Sequence, residues 1–544
     1  MIKKLTQALL ALALVGGMTA CDKSMKGVDE GDTSSTGDTY MSVAFSTANP
    51  NSTRADAEDT DFNSIGEYMG RDGIKSVNVY VINIPQENVD HEVFTTATDI
   101  TESNAKTKVF RTEAWKTTPG EKIVYVYVNI AGTEIETKLN EATSKAAFEA
   151  LNNKAFALTE NGTVKTDYAK LDGGKDIIAM SPTKGVDLYV EAGVKKAEAE
   201  AKTGAKNRTK VSVRRLVAQA AVTATYTNTE KKEFEIKSGE TTIATLGNLK
   251  WDVMQFEKTT FLTPLAEGTN DAKLAMYCKS PNFDFITDDY TYLFTMASGN
   301  YEYRAFTGEE VKTFARNKTD DTENVKAIVA TPMKFITETT HQYGNKLEKD
   351  GGEAPFTGYR KGNTTYVIVS AQITPDDAAW AKGEKAAYDA AAAANGVKGD
   401  LFLGVQDHKF YASLDNAKDA NRSTLIREPE VLPPDALVNI PDNVIKYTGG
   451  VCYYVAWLNP NNQETESKEP IVSPILRNNI YHVNITGMKK LGYSGNPFNP
   501  NGDNPKDPDD PTPDPEETLY PVDTYMAVEI SVVNWGVHSY DHEF

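Results

Sequence analysis

Cys21 is the residue whose type and position point most directly to chemistry. It follows a short basic start, an apolar run over residues 8–15 and small residues that end at Ala20. This layout is typical of a secretory signal, and the run is too short to span a bilayer. A cysteine directly after a small residue at the cleavage point indicates that it becomes the acylated first residue of the mature protein, for example with palmitate. We therefore expect residues 1–20 to be removed and Cys21 to carry the lipid; the alternative is an ordinary signal peptide with an incidental cysteine.

Catalytic motifs are absent from the sequence. HExxH, GxSxG, GxGxxG, the P-loop pattern and paired cysteines do not occur, and His91-Glu92 lacks the second histidine of a zinc motif. Acid pairs such as Asp288-Asp289 and Asp320-Asp321 are interpreted as solvated turns. Carboxylates from separate loops could still meet and hydrolyse a glycan. The prediction is that the protein is not an enzyme and has neither a metal site nor a cofactor.

Composition further restricts the possible partners and the fold class of the protein. Lys plus Arg number 57 against 77 for Asp plus Glu, so the net charge is −20, which disfavours nucleic acid as a partner. The 544 residues suit two or more domains, and the usage of Tyr, Thr, Val, Gly and Pro favours strands joined by turns. Cys278 and Cys452 are either one disulfide or two buried thiols.

Shifts in composition divide the chain into segments. A Ser/Thr/Asp-rich tether follows Cys21, and the stretch from residue 494 to 517 is dense in Pro and acids, which predicts an extended spacer. The predicted segments are a signal peptide (1–20), a lipid-anchored propeptide (21–54), an N-terminal β-rich domain (55–230), a C-terminal β-rich domain (231–493), the spacer (494–517) and a C-terminal strand segment (518–544).

Alternating or continuous apolar runs predict the main strands. They lie at residues 40–46, 74–84, 123–130, 211–226, 241–254, 365–370, 451–457, 481–485 and 524–533. The Ala-rich stretch after Thr374-Pro375 predicts a surface helix that ends at Asn395-Gly396. The last strand follows the spacer, so we expect it to have no sheet of its own.

Two distant strands carry the same side-chain pattern. Residues 38–46 and 523–531 agree at six of nine positions. The alternating apolar positions are Met41, Val43 and Phe45 in the first copy and Met526, Val528, Ile530 and Val532 in the second. Because specificity in strand addition comes from alternate side chains fitting pockets along a sheet edge, both copies should fit, and compete for, one groove.

Arg54 and Ala55 lie between the first copy and the globular body. A cut after Arg54 would disconnect the first copy together with the lipid and leave its groove open. The second copy of a neighbouring subunit could then fill that groove, which gives head-to-tail polymerisation into filaments. The alternative is that both copies are ordinary strands that are similar by chance.

A series of motifs along the chain resembles the fimbrillin family of Gram-negative type V pili, most closely the shaft subunits of its minor, or short, fimbriae. The motifs are Ile65-Gly66-Glu67-Tyr68, Lys361-Gly362-Asn363-Thr364-Thr365-Tyr366-Val367, Tyr454-Val455-Ala456-Trp457-Leu458-Asn459-Pro460, Arg477-Asn478-Asn479-Ile480-Tyr481-His482, Lys489-Lys490-Leu491-Gly492 and Val537-His538-Ser539-Tyr540.

The resemblance implies an all-β precursor with two transthyretin-like β-sandwich domains and a few helical insertions. It also implies an outer-membrane lipoprotein acylated at Cys21, cut after Arg54 by an arginine-specific surface protease and polymerised through residues 526–533. Implied partners are other copies, accessory tip and anchor subunits, and host or bacterial receptors in adhesion and biofilm formation. The competing interpretation is a non-polymerising surface lipoprotein that binds glycans through exposed aromatic side chains.

Overall fold

The computed structural model describes most of the chain. The described residues are 38–47, 63–68, 70–99, 109–263, 279–283, 299–347, 353–421, 444–461, 471–498, 519 and 526–535. Strands predominate among them, which confirms the β-dominated class. None of the helices in these ranges is long and apolar enough to cross a membrane.

Sixteen strands lie in the described residues before Leu216. They are β1 (Thr39–Thr47), β2 (Ser64–Tyr68), β3 (Val77–Asn83), β4 (Val89–Phe94), β5 (Thr98–Asp99), β6 (Val109–Arg111), β7 (Trp115–Thr117), β8 (Gly120–Val128), β9 (Ala155–Ala157), β10 (Thr159–Glu160), β11 (Thr163–Val164), β12 (Ala169–Asp172), β13 (Lys175–Ile178), β14 (Met180–Pro182), β15 (Val186–Val190) and β16 (Arg208–Arg215).

The described residues after Leu216 contain sixteen more. They are β17 (Val217–Ala224), β18 (Phe234–Ser238), β19 (Thr241–Met254), β20 (Thr259–Phe261), β21 (Glu309–Glu310), β22 (Lys312–Thr313), β23 (Met333–Thr337), β24 (Tyr343–Leu347), β25 (Glu353–Thr357), β26 (Tyr366–Pro375), β27 (Leu401–Gly404), β28 (Phe410–Tyr411), β29 (Val444–Tyr447), β30 (Val451–Trp457), β31 (Asn479–Met488) and β32 (Met526–Trp535).

The first sheet has ten strands and curls over its own inner face. Its pairing order is β4-β3-β8-β14-β16-β1-β6-β5, with β15 beside β8 and β7 beside β1. Phe94 on β4 packs against Trp115 on β7, with ring centroids 5.4 Å apart, although these strands lie towards opposite ends of the order. The enclosed core is rich in valine, as expected where β-branched side chains face each other across a sheet.

Two further sheets pack face to face as a β-sandwich. One has the order β2-β32-β31-β17-β22 with β23 beside β17, and the other has the order β18-β19-β26-β30 with β21 beside β19. One hydrophobic cluster joins Val222 and Val483 of the first of these sheets to Trp251 and Val369 of the second. The chain passes from the curled sheet to the sandwich at Leu216, between β16 and β17.

Six α-helices lie in the described ranges, and part of the predicted helix is wrong. They are α1 (Glu134–Glu141), α2 (Lys145–Ala150), α3 (Lys196–Ala199), α4 (Asp321–Val329), α5 (Glu384–Asn395) and α6 (Leu414–Ala420). The Ala-rich helix ends as predicted, with Gly396 at positive φ, but Pro375 ends β26 and does not begin a helix. Trp380 and Tyr388 are buried in the sandwich core, so this region is more than a surface decoration.

Two further expectations about the C-terminal region are corrected. The predicted spacer does not begin at residue 494, because Phe498 is buried and packs on Tyr366 and Trp457. The last strand does have a sheet, since β32 lies between β31 and β2 in the sandwich. The apolar alternation of β32, which predicted a strand, also lets it fill a place in its own molecule.

Candidate functional site

β1 is an internal strand of the curled sheet. It runs parallel to β16, from Ser42 opposite Arg208 to Thr47 opposite Val213. On its other side it is antiparallel to β6 and β7. A strand paired on both sides covers two rows of backbone hydrogen-bonding groups, so its removal would leave two unpaired edges facing each other. We call the place of β1 between β16 and β6/β7 the β1 slot.

The inner face of β1 carries its apolar side chains. Met41, Val43 and Phe45 are 0%, 0% and 1% exposed and belong to the core of the curled sheet. Phe45 stacks on Phe110 of β6 with ring centroids 5.5 Å apart. These three side chains are the ones that the sequence predicted, and burying them contributes roughly 5 to 9 kcal/mol at about 1.5 to 3 kcal/mol each.

The edges of β1 are held by residues that the sequence did not identify. Thr112 N donates to Val43 O at 2.9 Å, and Thr112 Oγ1 accepts from Val43 N at 3.2 Å. Asn207 Nδ2 donates to Tyr40 O at 3.0 Å and to Thr39 Oγ1 at 3.2 Å. No sequence pattern could have found Asn207, because 168 residues separate it from Thr39.

The first residues of the repeated pattern each make a contact in the slot. Asp38 lies 2.7 Å from Lys116 Nζ in an exposed ion pair, and Thr39 Oγ1 donates to Glu191 O at 2.6 Å. Tyr40 packs on the small cluster that includes Val194. Asp38, Thr39 and Tyr40 are among the positions at which the two copies are identical, so the repeat includes residues whose first copy has partners in the slot, and not only the apolar alternation.

The second copy occupies a different place. β32 is antiparallel to β31 and parallel to β2, and Met526, Ile530 and Val532 are buried in the sandwich core. Val528 is half-buried against the same core. The structure therefore does not bring the two copies together: each fills its own sheet, between one parallel and one antiparallel neighbour. Residues 523–525 lie outside the described ranges.

Three other predicted site residues also lie outside those ranges. Cys21, Arg54 and Ala55 are not among the described residues, so their proposed roles remain predictions. Cys452 is a buried free thiol, and burial raises its pKa to about 11. This agrees with the buried-thiol interpretation for Cys452, while Cys278 again falls outside the described ranges.

The side chains considered for catalysis have structural roles where they are described. His91 stacks on Tyr80 at 4.3 Å, and burial lowers its pKa. Asp320 caps α4 by accepting from Thr322 N at 2.9 Å. His482 is fully buried, and burial lowers its pKa to about 3. Within the described part of the chain no three His, Cys, Asp or Glu side chains are grouped so as to hold a metal.

Comparison with known proteins gives relatives over the whole chain. Residues 445–541 match the family model described as "Major fimbrial subunit protein type IV, Fimbrillin, C-terminal". The minor fimbrium subunit Mfa1 of Porphyromonas gingivalis is 33% identical over 570 aligned positions, which cover 99% of this chain and 100% of that protein.

Solved structures with similarity to this chain include two from the same organism. One is a fimbrilin, with a TM-score of 0.37 and 12% identity over 92% of this chain and 99% of that one. The other is the tip fimbrial protein Mfa3, with a TM-score of 0.32 and 9% identity over 91% of this chain and 100% of that one.

Proposed function

Because the chain belongs to the fimbrillin family, as a relative of a minor fimbrium subunit over its full length, we propose that it forms the shaft of a surface fimbria by strand exchange. In this proposal the protein is exported as a lipoprotein acylated at Cys21 and is cut after Arg54. The C-terminal strand of a second copy then replaces β1. The β1 slot is the observation that carries the proposal.

The position of β1 supports a removable strand. β1 precedes Arg54 in the chain, yet it lies between β16 and β6 in the middle of the curled sheet. While the chain is intact, the link to β2 keeps β1 at a high effective concentration beside its slot. A cut after Arg54 ends this advantage, because β1 then belongs to a separate peptide that can dissociate and be replaced.

The donor pattern supports the C-terminal strand as the replacement. With the two copies aligned, Met526, Val528 and Ile530 take the places of Met41, Val43 and Phe45. The same alternation gives the same faces, so the apolar side chains enter the core of the curled sheet and the backbone pairs with both edges.

Exchange also requires β32 to leave the sandwich of its own molecule. There it buries Met526, Ile530 and Val532, and Val532 N donates to Asn63 O at 2.7 Å. The apolar burial lost and the apolar burial gained are therefore similar in size. A contact from the C-terminus of one copy to the β1 slot of the next does not close on itself, so it builds a filament.

The proposal places the precursor at the outer membrane and the assembled protein in the fimbria. Its partners are other copies of itself, tip and anchor subunits, an arginine-specific surface protease, and receptors for adhesion and biofilm formation. Shaft subunits carry no catalytic function in this account.

The test is assembly after arginine-specific proteolysis of three proteins: the natural chain, Arg54→Ala, and a deletion of residues 524–544. Heat-labile multimers should appear on gels for the natural chain only, and electron microscopy should show filaments. Lys326→Ala, which removes only an exposed pair with Glu323 on α4, outside the β1 slot, is the matched control and should assemble normally. Filaments from the deletion variant would refute strand exchange, and unchanged assembly of Arg54→Ala would place the cut elsewhere.

A further inference from the structure

The face of β1 that points away from the core is buried and meets cations at two positions, one cation at Ser42 and two at Ala44. This face carries Ser42, Ala44 and Ser46, whose side chains do not enter the core. The register opposes Ser42 to Arg208, Ala44 to Arg111 and Lys210, and Ser46 to Val109 and Ser212. Thr112 N donates to Val43 O, so the alternate pair of Ala44 and Arg111 is a non-hydrogen-bonded pair, in which side chains lie closest. β1 presents only a methyl group at the position with two opposing cations.

Within the described part of the chain, the guanidinium group of Arg111 has one donor without a partner at this position. Its Nε is buried and has no hydrogen-bond partner among the described residues. The pKa of the neighbouring Arg208 is lowered, first by burial and then by the positive charge of Arg111. A carboxylate beside Arg111 would satisfy this donor and reduce the repulsion between the two guanidinium groups.

The C-terminal strand carries such a carboxylate. Aligned with β1, its residues Ala527, Glu529 and Ser531 take the places of Ser42, Ala44 and Ser46. Two of these three replacements keep a small side chain, and the third exchanges alanine for glutamate. The single change of charge therefore falls at the position that faces Arg111 and Lys210.

We propose that Glu529 of the incoming strand pairs with Arg111 and Lys210 of the β1 slot, and that this contact fixes the register of the exchanged strand and favours it over β1. The inference rests on the proposed strand exchange and adds a specificity-determining residue to it. The occupant that it identifies is the C-terminal strand of a second copy of this chain.

The two alternative registers with the same faces are worse. A shift by two residues in one direction brings Glu529 to the place of Ser42, whose Oγ accepts from Arg208 Nε at 2.8 Å and donates to Ala199 O at 2.6 Å. Arg208 already donates to two backbone carbonyl oxygens through its other nitrogens, so this cation has partners without a carboxylate. A carboxylate has no proton to donate there and would face a carbonyl oxygen. The opposite shift brings Glu529 to the place of Ser46, which is opposed by Val109 and Ser212 and by no cation.

Glu529 has only weak contacts where β32 is docked in its own molecule. Its Oε2 lies 3.6 Å from Arg316 Nη1, and both side chains are more than a third exposed. Asn484 Nδ2 donates to the same oxygen at 3.4 Å. Such an exposed pair contributes little. The apolar side chains of β32 are buried both in the sandwich of its own molecule and in the β1 slot of a second copy. The contact of Glu529 is therefore the difference between the two places that favours exchange.

The test compares full-length Glu529→Gln and Arg111→Gln with the natural chain after arginine-specific proteolysis. The readout is the rate at which heat-labile multimers form at low and at high salt. At low salt we expect each variant to assemble about tenfold more slowly, because a charge-assisted hydrogen bond is lost. The double variant should be no slower than either single variant, since both remove one contact. Salt should slow the natural chain and affect the variants little.

Two control variants distinguish effects of Glu529 in the β1 slot from effects of Glu529 while β32 is docked in its own molecule. Arg316→Gln removes the docked partner of Glu529 and should not slow assembly, and Glu309→Gln changes an exposed carboxylate on another strand and should have no effect. Equal rates and equal salt dependence for Glu529→Gln and the natural chain, with multimers forming, would overturn the inference and leave strand exchange standing. Failure of the natural chain to form multimers would overturn both.

Discussion

Ala44→Glu gives β1 the carboxylate that distinguishes the C-terminal strand. The new side chain would lie opposite Arg111 and beside Lys210, in a part of the face where Lys210 is exposed and Arg111 is half-buried. Ala44 is 5% exposed and Arg111 Nε is buried, so the added carboxylate would lie in a buried position beside this nitrogen but outside the hydrophobic core. We expect β1 to be held more tightly and exchange to be slower.

The expected size follows from the environment of each partner. A hydrogen bond between charged groups at a half-buried guanidinium contributes about 1.5 to 3 kcal/mol. The exposed Lys210 adds about 0 to 1 kcal/mol. Ordering and partly desolvating the new carboxylate costs about 1 kcal/mol or more. The net stabilisation of β1 is about 1 to 2 kcal/mol, so release of the cut peptide should slow by a factor of about 5 to 30.

The assay follows the peptide that contains β1 after arginine-specific proteolysis, together with the appearance of multimers. Ala44→Gln is the matched control, because it adds the same bulk without the charge. We expect Ala44→Glu to release β1 more slowly than Ala44→Gln at low salt, and the difference to shrink at high salt. Release of β1 from Ala44→Glu as fast as from Ala44→Gln would show that the slot does not recognise a carboxylate at this position.

Three further changes test the packing. Phe45→Ala removes a buried ring worth about 3 to 5 kcal/mol, so the cut β1 should leave faster, while Phe402→Ala in the sandwich region should not affect its release. Arg477→Met leaves the buried Glu338 without its 2.8 Å partner and should lower the free energy of unfolding by about 3 to 5 kcal/mol in chemical denaturation. Burial raises the pKa of Glu257 to about 8, so the folded protein holds a proton that the unfolded chain loses above its ordinary pKa of 4.5. Stability should therefore fall between about pH 5 and 8, and Glu257→Gln should flatten this dependence in melting curves; equal slopes would contradict it.

Several strands could be predicted because their side-chain pattern is local. β19 and β30 have the predicted bounds, since each is an apolar or alternating run that ends at turn residues. One run was too long: residues 211–226 form two strands in different sheets, divided at Leu216. Periodicity cannot show that division, because both strands are apolar and the change of sheet depends on distant partners.

The strand that fills the candidate site could be predicted from the sequence, but the residues that line the site could not. The repeat identified Met41, Val43 and Phe45, because the information lies within a single strand. The lining of the slot comes from residues far away in the chain, such as Arg111 and Asn207, and only the fold brings them beside β1. The docked position of β32 was missed for the same reason, since its neighbours β2 and β31 are distant in sequence.

The replacement of β1 by the C-terminal strand of another copy can be measured with one engineered cysteine pair. Ser46 is opposite Val109, and Ser531 takes the place of Ser46 in the exchanged strand. A Cys278→Ser chain with Val109→Cys and Ser531→Cys should form disulfide-linked ladders, removed by reductant, only after arginine-specific proteolysis. Pairing Val109→Cys with Val533→Cys, two residues out of register, should cross-link poorly. Multimers that form without the cross-link between positions 109 and 531 would contradict the account.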